Sequence, residues 1–193
     1  MNRQTLIRFI QSHLPSSPEE ALEIASYFEE KRIAKNDFLL REGVISNEYL
    51  FLEEGMMRAY AIDLNGDEVT TGFYLKNNIV FEVASFFNHT PSKENIQALT
   101  DCHGYIITFQ QLNQLFHSVP GFREFGRAIL VKGFVALKER TLSLITETAE
   151  ERYHHLINAK SDLFQHAPLK HIASYLGITD TSLSRIRRDY LSK

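Results

Sequence analysis

The chain has 193 residues, a formal charge of −3, 44% apolar and 23% charged residues, the proportions of an ordinary folded protein long enough for one domain or two small ones. No run approaches the ~20 consecutive apolar residues that cross a bilayer, and the single cysteine, Cys102, excludes an intrachain disulfide and any four-cysteine metal or cluster site within one chain. Charge is uneven: residues 152–193 hold seven Lys or Arg against three Asp or Glu, on an acidic remainder, so the C-terminal fifth is a candidate anion-binding face for nucleic acid.

The opening stretch, MNRQTLIRFIQSHLP, is amphipathic without a continuous apolar core, unlike a signal peptide, and a cytoplasmic protein is expected. Helices are predicted over 4–13 and 18–31. In the second, Ser17 caps, Pro18 suits the first turn and Glu20 completes a capping box, with Ala21, Ile24 and Phe28 on one face. From 32 to 109 the pattern changes to short strand-like runs, DFLLREG, EYLFLEEG, MMRAYAIDLNG and DEVTTGFYL, punctuated by Gly43, Gly55 and Gly66. Asn65-Gly66 signals a tight hairpin turn in which both residues take positive φ. Strand runs return at ENIQAL and GYIITF, and Cys102 is expected as a small hydrophobe in or near a strand. Strands at this spacing argue for a jelly-roll β-barrel.

Helical spacing resumes in QQLNQLFHSV, breaks at Pro120-Gly121, and continues as one long helix over 121–147. Leu130, Phe134, Leu137, Thr141 and Leu144 recur at alternating four- and three-residue steps, a short coiled-coil-like seam. Phe122, Phe125 and Ile129 form a second apolar strip. Two such faces suggest that the helix packs on its own barrel and on a second copy of the chain. Thr148 and Glu151 form another capping box, so a new helix begins there. Helices at 149–159, 169–176 and 180–191 make a small C-terminal unit. The expected organisation is therefore α+β: an effector barrel with flanking helices over 1–120, a long dimerisation helix and hinge over 121–147, and an all-α head over 148–193.

That head carries the most specific pattern. Counting Leu169 as the first position of a twenty-residue frame, Ala173 is the fifth, Gly177 the ninth, and Ile172, Leu176, Ile178, Leu183 and Ile186 fall on the fourth, eighth, tenth, fifteenth and eighteenth. Ala173 is small where two helices cross, Gly177 allows the chain to turn with positive φ, and the aliphatics form a small core. Thr179 can cap the second helix. Helix-turn-helix pairs that read DNA have this geometry, with the second helix in the major groove. Asp180, Thr181, Ser184 and Arg185 are then the candidate base readers, Arg185 able to grip guanine through two hydrogen bonds. Asp180 either accepts from a cytosine amine or serves as a helix-start residue favoured by the dipole. Lys170, Thr179, Ser182, Arg187 and Arg188 are candidate phosphate contacts, which position without reading.

With YLFLEEG, LNGDE, FEVASFF and LKHIASYLGITDTSLSRIRR in that order, the chain resembles the CRP/FNR family of transcription regulators. The resemblance implies a homodimer on the long helix, an effector pocket in the barrel, a palindromic DNA site, and contact with RNA polymerase. Arg185 matches the arginine of that family's reading helix, while Asp180 and Thr181 replace an Arg-Glu pair, so a different target is expected. Cyclic-nucleotide-binding members carry a Gly-Glu pair and an Arg-Ser or Arg-Thr some ten residues on. Here Phe81-Glu82 and Ser92-Lys93 stand in those places, and Lys93 lacks the two-pronged grip of arginine. A pocket around Phe81, Glu82, Val83, Ser92 and Lys93 is thus expected to take an effector other than cyclic AMP, with Glu82 retained to bond backbone amides at a bend. Phe86 and Phe87 are candidates to fill that space. The cysteine cluster of the oxygen-sensing branch is absent, and no cofactor is identified. The family's hairpin wing is represented only by DYLSK, so a reading head with fewer backbone contacts is expected. Two other readings remain. A cupin-like enzyme needs a histidine and carboxylate cluster in the barrel, which the scattered histidines do not supply. A protein-interaction module would keep the fold without reading DNA.

Overall fold

The computed structural model describes residues 3–191. Two helices open the chain, α1 (Gln4–His13) and α2 (Pro18–Ser26), the second held by the predicted capping box between Ser17 and Glu20. It ends at Ser26 rather than near 31. Residues Glu29–Ile33 instead form β1, whose pairing with Cys102–Ile106 overrides the helical propensity of EEKRI.

The strands β2 (Phe38–Leu40), β3 (Glu48–Glu54), β4 (Met57–Ile62), β5 (Glu68–Tyr74), β6 (Asn78–Val80), β7 (Asn95–Ala98) and β8 (Cys102–Thr108) complete two antiparallel sheets of order β1-β8-β3-β6 and β2-β7-β4-β5. Strand alternation explains the two cores. Leu50, Leu52, Met57, Ala59, Val80, Ile96 and Cys102 point between the sheets. Tyr49, Phe51, Tyr105 and Ile107 point out of the first sheet onto the helices, against Leu6, Ile10, Ile24 and Phe28. Gly104 sits where a Cβ would lie 2.2 Å from the Phe51 carbonyl oxygen.

The β4–β5 connection differs from the predicted two-residue turn. Only Gly66 has positive φ, at 87°. The Asp63 carboxylate accepts from the backbone N–H of Asn65 and of Asp67, at 2.8 and 2.9 Å, making a loop of residues 63–67. A short helix, α3 (Val83–Asn88), follows β6.

Helix α4 (Phe109–Ser118) starts at a capping box of Thr108 and Gln111. Then α5 (Phe122–Thr146) runs the length predicted for the long helix. Its start is buried through Phe122, Phe125 and Gly126. Further along, Leu130, Phe134, Leu137 and Leu144 are 40–68% exposed. The Thr148–Glu151 capping box opens α6 (Ala149–Ala159), followed by the short α7 (Leu163–His166), α8 (Leu169–Leu176) and α9 (Asp180–Leu191). Tyr153, Leu163, Ile172, Leu176, Leu183 and Ile186 make their core, continuous with Met56, Phe73 and Leu99 of the barrel.

Candidate nucleic-acid interface and barrel interior

The pair α8–α9 has the packing its sequence dictates. Ile172, Ala173 and Leu183 are fully buried and Leu176 and Ile186 nearly so. Gly177 turns the chain at φ 69°, and the Ile178 N–H donates to the Ala173 carbonyl at 3.0 Å. Thr179 Oγ1 accepts from the Ser182 N–H at 3.3 Å and lies 2.9 Å from Thr181 Oγ1. With the inward positions fixed, Asp180, Thr181, Ser184, Arg185 and Arg188 are exposed on α9, and Lys170 on α8. Thr181, Ser184, Arg185 and Arg188 fall at helical spacings of three and four, hence on one face. Among the described residues Arg185 has no ion-pair partner. Arg188 is 3.7 Å from Asp189 Oδ1, both exposed. Arg187 is half-buried and turns to the Tyr153 hydroxyl, whose pKa burial raises and Arg187 lowers.

The barrel residues singled out in the sequence have different surroundings. Phe81 is buried in an aromatic cluster, 4.9 Å from the Tyr49 ring and 5.4 Å from Phe86. Phe86 is buried there and Phe87 lies at its rim. Both Glu82 carboxylate oxygens are engaged with α3, accepting from Ala84 N–H at 3.0 Å and Ser85 N–H at 2.6 Å. Val83 is half exposed and Lys93 exposed. Ser92 is buried: its hydroxyl donates to the Glu94 carbonyl and accepts from the Glu94 N–H, while its backbone pairs with Gly43 and Val44.

The sequence reading missed Glu94 and Tyr74. Burial pushes the Glu94 carboxyl up, and the Glu82 charge adds to it. Burial likewise pushes the Tyr74 hydroxyl up to about 12, with Glu94 and Glu82 contributing. Glu82 and Glu94 are thus within electrostatic reach of each other in this part of the barrel. A cleft of about 420 Å³ opens at the barrel mouth, among Lys31, Leu40, Arg41, Val44, Ile45, Phe81 and Ile96. Lys31 closes one side by bonding both Glu48 oxygens, at 2.8 and 3.0 Å.

Residues 30–119 match the cyclic nucleotide-binding domain family. Over 167 residues the chain is 27% identical to the fumarate and nitrate reduction regulatory protein of Escherichia coli (strain K12), covering 81% of this chain and 66% of the relative. It is 23% identical over 168 residues to electron transport regulator A of Shewanella oneidensis, with the same coverage. The chain is thus homologous to the fumarate and nitrate reduction regulators. Its match spans just under two thirds of these relatives' length.

Solved structures give the same CRP/FNR architecture. FixK2 from Bradyrhizobium japonicum superposes with a TM-score of 0.73 at 17% identity, covering 86% of this chain and 85% of that one. A CooA mutant from Carboxydothermus hydrogenoformans gives 0.69 at 20%, covering 88% and 79%. The Thermus thermophilus catabolite activator protein gives 0.57 at 17%, covering 91% and 84%. At such identities the likeness establishes the fold alone. Within it, the long CRP/FNR helix is here α5, whose exposed residues include Leu130, Phe134, Leu137, Thr141 and Leu144. Among the described residues no helix is long and apolar enough to cross a membrane.

Proposed function

We propose that the chain is a DNA-binding transcription regulator that acts as a homodimer on a two-fold symmetric site. The carrying observation is the α9 face: Thr181, Ser184 and Arg185 exposed together on a helix whose opposite side is locked by Leu183 and Ile186. Asp180 begins the helix, where the dipole favours its charge. Thr179, Ser182, Lys170 and Arg188 flank the face as phosphate contacts, and Arg187, shared with Tyr153, reaches phosphate less directly. The apolar strip of α5 supports pairing through Leu130, Phe134, Leu137, Thr141 and Leu144, a surface too apolar to be left in water. Half-site centres are then about one helical turn, ~34 Å, apart. RNA polymerase is the further partner suggested by the homology.

The effector is a small molecule other than cyclic AMP. Glu82 is spent on α3, Ser92 on its own turn, and Glu94 adds a second negative charge. Acidic side chains in this region disfavour a bound anion. The cleft at the barrel mouth is the space such an effector has available. Selection of genomic fragments on the purified protein tests the whole reading. A recurring palindrome bound by the parent and weakened by Arg185→Ala supports it. No enriched palindrome, with a flat response to that substitution, overturns it.

A further inference from the structure

We propose that Arg58, Arg140 and Ser174 clamp the helix-turn-helix head to the barrel, and that this clamp positions the reading helix. In the sheet order β2-β7-β4-β5, strand β5 is an edge, and edges carry unpaired backbone groups. At Thr70 that pairing is supplied from outside the barrel. The Thr70 N–H donates to Ser174 Oγ of α8 at 2.7 Å. The Thr70 carbonyl accepts from Arg140 Nη2 at 3.3 Å, and the same nitrogen donates to the Tyr175 carbonyl at 3.2 Å. Arg140 belongs to α5, so one residue ties together the long helix, the barrel edge and the head. Its guanidinium also lies 4.5 Å from the centre of the Tyr175 ring.

A second arginine meets the same face of α8 one turn earlier, at His171. Arg58 of β4 is 1% exposed. Its Nη2 donates to Glu68 at 2.6 Å and to Gln97 at 3.3 Å, and its guanidinium covers Tyr60. Its Nη1 donates to His171 Nδ1 of α8. Arginine has no acceptor, so His171 must be neutral at Nδ1 for the contact to exist.

Two features mark this as a joint and not only as packing. Arg58 Nε, Thr70 Oγ1 and Arg140 Nε are buried without a hydrogen-bond partner among the described residues. Orphaned polar atoms of this kind weaken an interface, and in native proteins they call for an explanation. Secondly, Thr181, Ser184 and Arg185 remain exposed while α8 is docked. The clamp therefore orients the reading face without masking it. Because α8 and α9 share one core, fixing α8 fixes α9. Beside the clamp, barrel and head share the apolar contact of Met56, Phe73 and Leu99 with α8 and its neighbours, while the chain itself passes from α5 to α6 through the extended residue Glu147. Arg140 also lies within electrostatic reach of Glu94.

The effect on DNA rests on the function proposed above; the clamp itself is read without DNA. Spin labels at Leu64→Cys, on the exposed β4–β5 loop, and Gln165→Cys, on α7, report the barrel-to-head distance in the full chain. Cys102 is 5% exposed and escapes labelling, and excess unlabelled chain suppresses distances between protomers. The parent is expected to give one narrow distance. His171→Arg sets a second cation against Arg58 and broadens it, whereas His171→Glu supplies a counter-charge and keeps it narrow. Should His171→Arg fail to fold, Ser174→Val removes the acceptor of the Thr70 N–H and broadens the distance in its place. Binding to the selected palindrome falls about tenfold in the broadened variants, because two loose heads must be ordered together. A broad distribution in the parent, or an unchanged narrow one in both His171→Arg and Ser174→Val, overturns the clamp. Loss of DNA binding in the parent overturns the functional reading instead and leaves the distance result standing.

Discussion

Replacing Phe134 by glutamate separates the long helix as a surface from the long helix as an interface. Phe134 is 68% exposed in the single chain. A phenylalanine buries about 150–250 Å² when fully covered, so about 100–170 Å² awaits a partner. At ~25 cal/mol per Å² that is worth about 2.5–4 kcal/mol. A two-fold interface meets the residue twice, giving about 5–8 kcal/mol per dimer. Ordering and desolvation costs reduce this, but even half of it weakens association more than about a hundredfold. The fold should be indifferent, since the side chain has few neighbours within its own chain. Sedimentation velocity across a concentration series, with melting curves alongside, measures both. Expected are a dimeric parent, a monomeric Phe134→Glu protein with a nearly unchanged melting temperature, and a dimeric Lys138→Glu control. A variant that still sediments as a dimer, or a parent monomeric throughout, refutes the reasoning.

Arg185→Ala should cost about 1–3 kcal/mol at the selected palindrome, roughly ten- to hundredfold in affinity, and relax preference at one base position. Equal loss at every base position by anisotropy titration would assign it to phosphate. Cyclic AMP at millimolar concentration should leave the melting temperature unchanged, and a saturable rise would revive the cyclic-nucleotide reading. His171 makes stability depend on pH. Burial, then Arg58 and Lys170, hold its pKa down to about 4, with Glu68 opposing. As pH falls below the ordinary histidine value near 6.5 the unfolded chain takes the proton first, so stability is lost between roughly pH 6.5 and 4. At pH 5 the loss is about 2 kcal/mol. Urea midpoints at pH 7 and 5 should differ in the parent and converge in His171→Gln; parallel behaviour of the two proteins would show that another group carries the dependence.

The elements most legible in the sequence were those whose signals are local. Capping boxes at Ser17 and Thr148 place the starts of α2 and α6 correctly, and the spacing of Ala173 and Gly177 with five aliphatics places α8 and α9. Propensity misled where pairing took over: EEKRI continues a helix by composition, yet β8 recruits it as β1. Asn65-Gly66 suggested a two-residue turn, but the Asp63 carboxylate captured two backbone N–H groups and lengthened the loop. The exposed face of α9 could be listed from sequence because helical periodicity fixes what points outward. The surroundings of the barrel residues could not. Arg58 meets His171 across 113 positions and Thr70 meets Ser174 across 104, and no local pattern announces contacts of that kind. Glu94 is an intermediate case, since it directly follows Ser92-Lys93 and its charge was there to be counted.

The edge position of β5 has a consequence for how far the two halves of this chain are modular. A barrel deprived of its helical head bares the Thr70 backbone together with Met56, Phe73 and Leu99. Such a margin is a template for strand addition between chains. The head covers that margin in the full chain. Exchange of helical heads between related chains is restricted accordingly: a transplanted head must bring a hydroxyl at the place of Ser174 and an apolar surface for Phe73, or the recipient barrel is left prone to self-association.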